Sequence, residues 1–251
     1  MLGRSRGQQE PFAPMTLPTL ALIAATILVA AFVQGSTGLG FALISGPVIG
    51  MVQPLLLPVF LLVQMIPLNG YISWRERHAM DKSGVTWISA GRAVGTFGGL
   101  GILLLVTAHQ MSLLIGISTV LAAVATLLAP SFQPGRAAYV SAGLVTGLTE
   151  TSTGIGGPPL ALVYQHRPGP VLRSTVASCF VIGEVISLAI LGLSGKVSQH
   201  QILTALALLP AVVLGALLSR MVHHRLDGKI VRYIVLGFAI VSGIAVTAQT
   251  L

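Results

Sequence analysis

Apolar residues run along this chain in blocks, and short polar punctuation separates them. The blocks fall at about 17–34, 41–52, 54–74, 84–106, 111–129, 137–150, 156–165, 172–193, 200–220 and 230–250. Most are close to the 20 or so apolar residues that cross a bilayer as a helix. Two blocks, 41–52 and 156–165, are too short to span alone. Each follows a longer block across the same five-residue motif: Ser36-Thr37-Gly38-Leu39-Gly40 and Ser152-Thr153-Gly154-Ile155-Gly156, which lie 116 positions apart and differ by one residue. The pattern predicts a chain built twice. Each copy has one broken-helix hairpin and then three full spans, about eight hydropathy spans in all.

Further landmarks keep the same offset. Pro54 and Pro170 align at 116, and Gly95 and Gly215 at 120, as a short insertion in the second copy would give. The expected organisation is a tail at 1–16, a first repeat at 17–130 and a second at 137–251, forming one all-α polytopic membrane domain. Arg4 and Arg6 before an apolar run resemble a signal peptide. That reading is set aside, because cleavage would remove the first motif's own helix.

A hairpin adds no net crossing and three spans add an odd number, so the second repeat enters from the opposite side and the repeats are inverted. Basic residues test this. Arg75, Arg77, Lys82, Arg136, Arg167, Arg173, Arg220, Arg225, Lys229 and Arg232 fall on one side, and Arg4, Arg6 and Lys196 on the other. The positive-inside rule makes the first side cytoplasmic. Loops 75–82 and 220–232 are then cytoplasmic and the N-terminus outside. Arg4 and Arg6 are the discordant pair.

Composition agrees with this. The chain is 54% hydrophobic and 8% charged, against roughly a quarter charged in soluble domains. The net charge of +8 is read as loop orientation and not as a nucleic-acid surface. Cys179 is alone and cannot form an intrachain disulfide. His78, His109, His166, His200, His223 and His224 lack metal-ligand spacing, and there is no Walker-type loop. No Ser–His pair lies at membrane depth for an intramembrane protease. The expectation is no cofactor, no metal and no enzyme activity.

Chemistry concentrates at the duplicated motif. Ser36, Thr37, Ser152 and Thr153 carry hydroxyls, and Gly38, Gly40, Gly154, Gly156 and Gly157 allow close backbone approach. A short helix starts after each break, and Pro158-Pro159 suit its opening turn. Helix N-termini with hydroxyls around them form an anion site, and inverted hairpins bring the two tips together near the midplane. The competing reading is that these glycines only permit tight packing.

Three charged residues interrupt apolar blocks and are functional candidates by default. Glu150 precedes the second break, where the first repeat has neutral Gln34. A carboxylate beside an anion site repels the substrate unless it is protonated, which makes Glu150 a proton carrier. Glu184 can do the same or pair with Arg92. Arg92 either contacts the substrate or snorkels to the cytoplasmic face. The ridge Gly91-Gly95-Gly99 fits a homodimer interface or internal packing.

The motifs, taken together, resemble the sulfite exporter TauE/SafE family. The strongest match is Gly147 to Leu160, GLTETSTGIGGPPL, and Gly35 to Pro47, GSTGLGFALISGP, is a looser one with Phe41 and Ala42 in place of further glycines. The resemblance implies a permease for small sulfur anions such as sulfite, sulfoacetate or related organosulfonates, in contact with lipid and coupled to protons if Glu150 or Glu184 titrates. Two other readings of the residues remain: a permease for a non-sulfur anion, and a non-transporting membrane scaffold. Short loops argue against the scaffold.

Overall fold

The computed structural model describes residues 15–128, 133–222 and 228–250. Residues 1–14 of the expected tail at 1–16, and residues 223–227 of the basic loop at 220–232, lie outside them. Among the described residues ten α-helices follow in order: α1 (Leu17–Thr37), α2 (Phe41–Val52), α3 (Val59–Arg75), α4 (Lys82–Leu105), α5 (Ala108–Leu128), α6 (Arg136–Thr153), α7 (Gly157–Tyr164), α8 (Gly169–Leu193), α9 (Gln199–Val222) and α10 (Gly228–Thr250). A long helix, a short helix and three further helices thus occur twice.

Helices α1, α4, α5, α8, α9 and α10 are long and apolar enough to cross a membrane. The protein is a multi-pass membrane protein. The set differs from the expected one at α1 and α3. Helix α1 runs 21 residues, about 31 Å at 1.5 Å per residue, and is itself long enough to cross. Helix α3 has 17 residues. Pro54 opens a 3-10 turn over Pro54–Leu56, so the apolar block at 54–74 spends its start on that turn.

Glycine contacts fix the helix directions. A Cβ on Gly91, Gly95 or Gly99 of α4 would meet the carbonyls of Val140, Leu144 and Leu148 of α6 in turn, so these helices run parallel with backbones in direct apposition. The ridge is spent on packing inside the chain. Its counterpart is exact in register: a Cβ on Gly215 of α9 would meet Leu28 O of α1, and Leu28 and Leu144 are 116 apart. Helix α9 is therefore parallel to α1. Ser73 bonds Ser178 and Asn69 bonds Glu184, so α3 and α8 are antiparallel. Gly116 faces Thr247 while Gly243 faces Val120, so α5 and α10 are antiparallel too.

These directions gather the helix ends. Arg75, Lys82, Arg136 and Arg173 close or open helices at one end of the bundle, where α3 ends and α4, α6 and α8 begin. Arg136 stacks over Trp87 there, 5.3 Å from the ring centroid. Arg173 pairs with Glu76 at 2.9 Å, and Arg75 pairs with the same carboxylate at 3.0 Å.

The glycine packing gives opposite signs for one kind of substitution. Gly95→Ala puts a methyl into the Leu144 carbonyl and is expected to destabilise by about 1–3 kcal/mol as an overpacked contact. Gly101→Ala meets nothing within 4 Å and is expected to stabilise by roughly 0.5–1 kcal/mol through helix propensity. Melting temperatures of the two purified variants against the parent check this.

Candidate functional site

Both breaks are built alike. Gly38 and Gly154 end α1 and α6 with φ of 88° and 84°, a left-handed conformation that favours glycine, and their N–H groups donate to Gln34 O at 2.7 Å and Glu150 O at 2.8 Å. The Ser-Thr pairs lie on the last helical turn and not in the loop. Ser36 and Ser152 donate to Phe32 O and Leu148 O, each at 2.8 Å, and Thr37 and Thr153 donate to Val33 O and Thr149 O. The hydroxyls that the sequence offers to an anion thus rest on the backbone of their own helices. Each hydroxyl bonds back to the carbonyl four residues earlier on its own helix, a local bond open to any helical serine or threonine.

After each glycine the chain folds back beside the helix it left. Thr146 donates to Gly156 O, ten residues on, at 3.1 Å, and Phe41 N–H donates to Gln34 Oε1 at 3.0 Å. The two breaks are neighbours. Leu39 reaches Gly157 (its Cδ2 would lie 3.5 Å from a Cβ there) and Ile155 covers Gly46. Their glycine turns extend past this meeting level in opposite directions. Gly38 rests on Leu172 and Arg173 in the first turn of α8, and Gly154 rests on Leu61 in the first turn of α3. The starts of α2 and α7, and not the hydroxyl tips, meet near the middle. Their free donors are few, because Gln34 takes the Phe41 N–H and Pro158 and Pro159 carry none.

The charge at this level is Arg92. It is fully buried, which excludes snorkelling. Its Nη2 pairs with Glu150 Oε2, its Nη1 donates to Cys179 O at 3.1 Å, and its guanidinium lies 5.6 Å from the Phe180 ring centroid. Gly183 makes the room, since a Cβ there would collide with the guanidinium. Glu184 does not form the ion pair with Arg92. It accepts from Asn69 Nδ2 at 2.8 Å and lies close enough for its charge to be felt by the arginine. Asn69 in turn accepts from Gln34 Nε2 at 2.9 Å. One buried polar chain therefore runs from the first break through Gln34, Asn69 and Glu184 to the neighbourhood of Arg92, and from Arg92 through Glu150 to the second. Sequence reasoning missed Asn69. Its signal was an amide inside an apolar block, where only full charges had been counted.

The family model described as Sulfite exporter TauE/SafE matches residues 23–246. The chain belongs to that family. TauE/SafE is a family of membrane transporters, and both breaks and the polar chain between them lie inside the matched region. No curated protein matches the chain, and no solved structure does. Among the described residues no group of His, Cys, Asp and Glu is arranged to hold a metal ion. A cavity of about 730 Å³ adjoins the second break between α5, α6 and α7, but its walls are mainly apolar, with Leu121, Val145, Ile155, Pro158 and Pro159 outweighing the hydroxyls of Ser118, Ser141 and Thr149. It suits hydrocarbon better than an anion.

A second polar cluster ties α7 to the basic end of this TauE/SafE chain. Asp81 caps α4 by accepting from Gly84 N–H at 3.0 Å. It also accepts from Tyr164 Oη at 2.8 Å and Tyr139 Oη at 3.4 Å, and its own N–H donates to Thr175. The two tyrosine rings stack with centroids 5.7 Å apart. Burial opposes the Asp81 charge, but the Gly84 N–H and the two hydroxyls outweigh it and hold the carboxyl below the ordinary aspartate range.

A carboxyl whose folded-state pKa is depressed adds stability above its unfolded pKa, and that stability is lost as pH falls through the folded value. Asp81→Asn is therefore expected to lower the melting temperature at pH 7 and to lose its difference from the parent below about pH 4. Melting curves across that range check it. Gly154→Ala is expected to cost at least about 1–2 kcal/mol from the left-handed backbone, with a further cost because its Cβ would lie 2.8 Å from Leu61 Cδ1.

Proposed function

We propose that this chain is a secondary transporter for a small sulfur-containing anion, such as sulfite, sulfoacetate or a related organosulfonate. On this reading it works in a bacterial cytoplasmic membrane by alternating access between two inverted repeats, 17–130 and 137–251. The observation that carries the reading is the pair of like-built breaks brought side by side next to a fully buried arginine. A guanidinium in a water-poor site is a strong, planar recogniser of oxyanions, and the positive ends of α2 and α7 point toward the same region. Opposed directions of counterpart helices, α1 with α6, α3 with α8 and α4 with α9, support reading the halves as inverted copies. Rocking one half against the other would then expose the site to each side in turn. The gathering of basic residues at one end supports assigning that end to the cytoplasm and the N-terminus to the outside. Movement is coupled to protons through Glu150 or Glu184.

Flux in reconstituted vesicles tests this. Purified protein in proteoliposomes is expected to exchange labelled sulfite, thiosulfate or sulfoacetate, and to leave acetate and lactate behind. Arg92→Lys keeps the charge and loses the fork, and is expected to reduce flux by about tenfold or more, the equivalent of ~1.4 kcal/mol of recognition. Folded protein that moves none of these anions would overturn the transport reading in favour of a scaffold. Equal flux of lactate would overturn the sulfur preference.

A further inference from the structure

We infer that the Glu150 carboxylate is a built-in occupant of the anion site, and that a substrate oxyanion takes its place on Arg92 while Glu150 leaves as the neutral acid. The inference rests on the transport reading above and deepens it.

The geometry is that of an anion already bound. Glu150 and Arg92 are both fully buried and paired. The carboxyl also lies against the start of α7: a Cβ on Gly156 would be 2.8 Å from Glu150 Cβ and 3.0 Å from its carboxyl carbon. A carboxylate thus sits on the guanidinium, beside the start of α7, where an oxyanion would otherwise be received. The fit is incomplete on both partners. Arg92 Nε and Glu150 Oε1 are buried without a hydrogen-bond partner among the described residues. An oxyanion with three or four oxygens can meet more of the guanidinium donors than this one carboxylate does.

Charge decides how the exchange proceeds. The groups facing Glu150 are Arg92 from α4 and, beyond it, Glu184 and Cys179 from α8. Tyr164 of α7 is held at the far end by Asp81. An incoming anion beside an ionised Glu150 and Glu184 would put three negative groups on one cation, out of reach of water, at a large cost. One proton on Glu150 removes a charge from that sum. It also releases Arg92, so each anion bound takes up one proton. Gln34, the counterpart of Glu150 in the other repeat, carries no charge and has no such role, so one half of the chain holds the exchange.

Binding linked to proton uptake gives the test. Sulfoacetate and thiosulfate gain no proton of their own above about pH 5, so any pH dependence belongs to the protein. Calorimetric affinity of the purified full chain for each is expected to weaken by about tenfold per pH unit as pH rises. A dye in weakly buffered solution is expected to report about one proton taken up per anion bound. Glu150→Gln is expected to bind at high pH as tightly as the parent does at low pH, with the slope and the proton uptake gone. Parent protein that binds either anion without taking up a proton would overturn the inference and leave the transport reading standing, whether or not the variant folds. A variant with the parent's slope would do the same. Absence of binding by both proteins at every pH would overturn both.

Discussion

The buried guanidinium of Arg92 imposes a requirement that the surrounding helices are arranged to meet. A cation away from water is tolerated only with partners that return what hydration gave. Two helices supply them: α6 gives Glu150, and α8 gives the Cys179 carbonyl, the Phe180 ring and the room at Gly183. For Glu150 to reach Arg92, α4 and α6 must lie backbone to backbone, which is what Gly91, Gly95 and Gly99 on one side and Gly143 and Gly147 on the other permit. The glycine ridge and the ion pair are therefore one design. The ridge sets the separation, and the separation lets a short acid meet an arginine 58 positions away.

The same contact joins the two halves of the chain. Helix α4 belongs with the first break in sequence and α6 carries the second, while α1 and α9 make the matching exchange. Each half thus completes its packing on the other, and neither half closes a core alone. The polar chain follows this interleaving. Gln34 and Asn69 come from one half, Glu184 and Glu150 from the other, and Arg92 sits where they converge.

Much of this was legible in the chain. The repeated Ser-Thr-Gly motif marked both helix breaks, the apolar blocks marked the spans, and Arg92, Glu150, Glu184 and Gln34 stood out as polar groups in apolar surroundings. Residue patterns could not assign the partners. Whether Arg92 meets Glu150 or Glu184 depends on a helix register set by tertiary packing. Nor could those patterns show which way the hydroxyls turn, because a serine or threonine on a helix can bond the carbonyl four residues before it. Pro158 and Pro159 were read correctly as opening a helix, but the donors they remove from that opening turn were not counted.

Gly40 and Gly156 occupy the same place in the two copies of the motif, yet they are glycine for unlike reasons. Gly40 holds φ at 118°, a backbone that excludes side chains. Gly156 sits at φ −121°, which any residue can adopt, and is instead hemmed in by Glu150 and Thr146. The same letter thus answers to torsional constraint in one copy and to crowding in the other. Identity between the repeats is therefore no measure of shared duty: the copies can drift apart in role while their spelling stays the same.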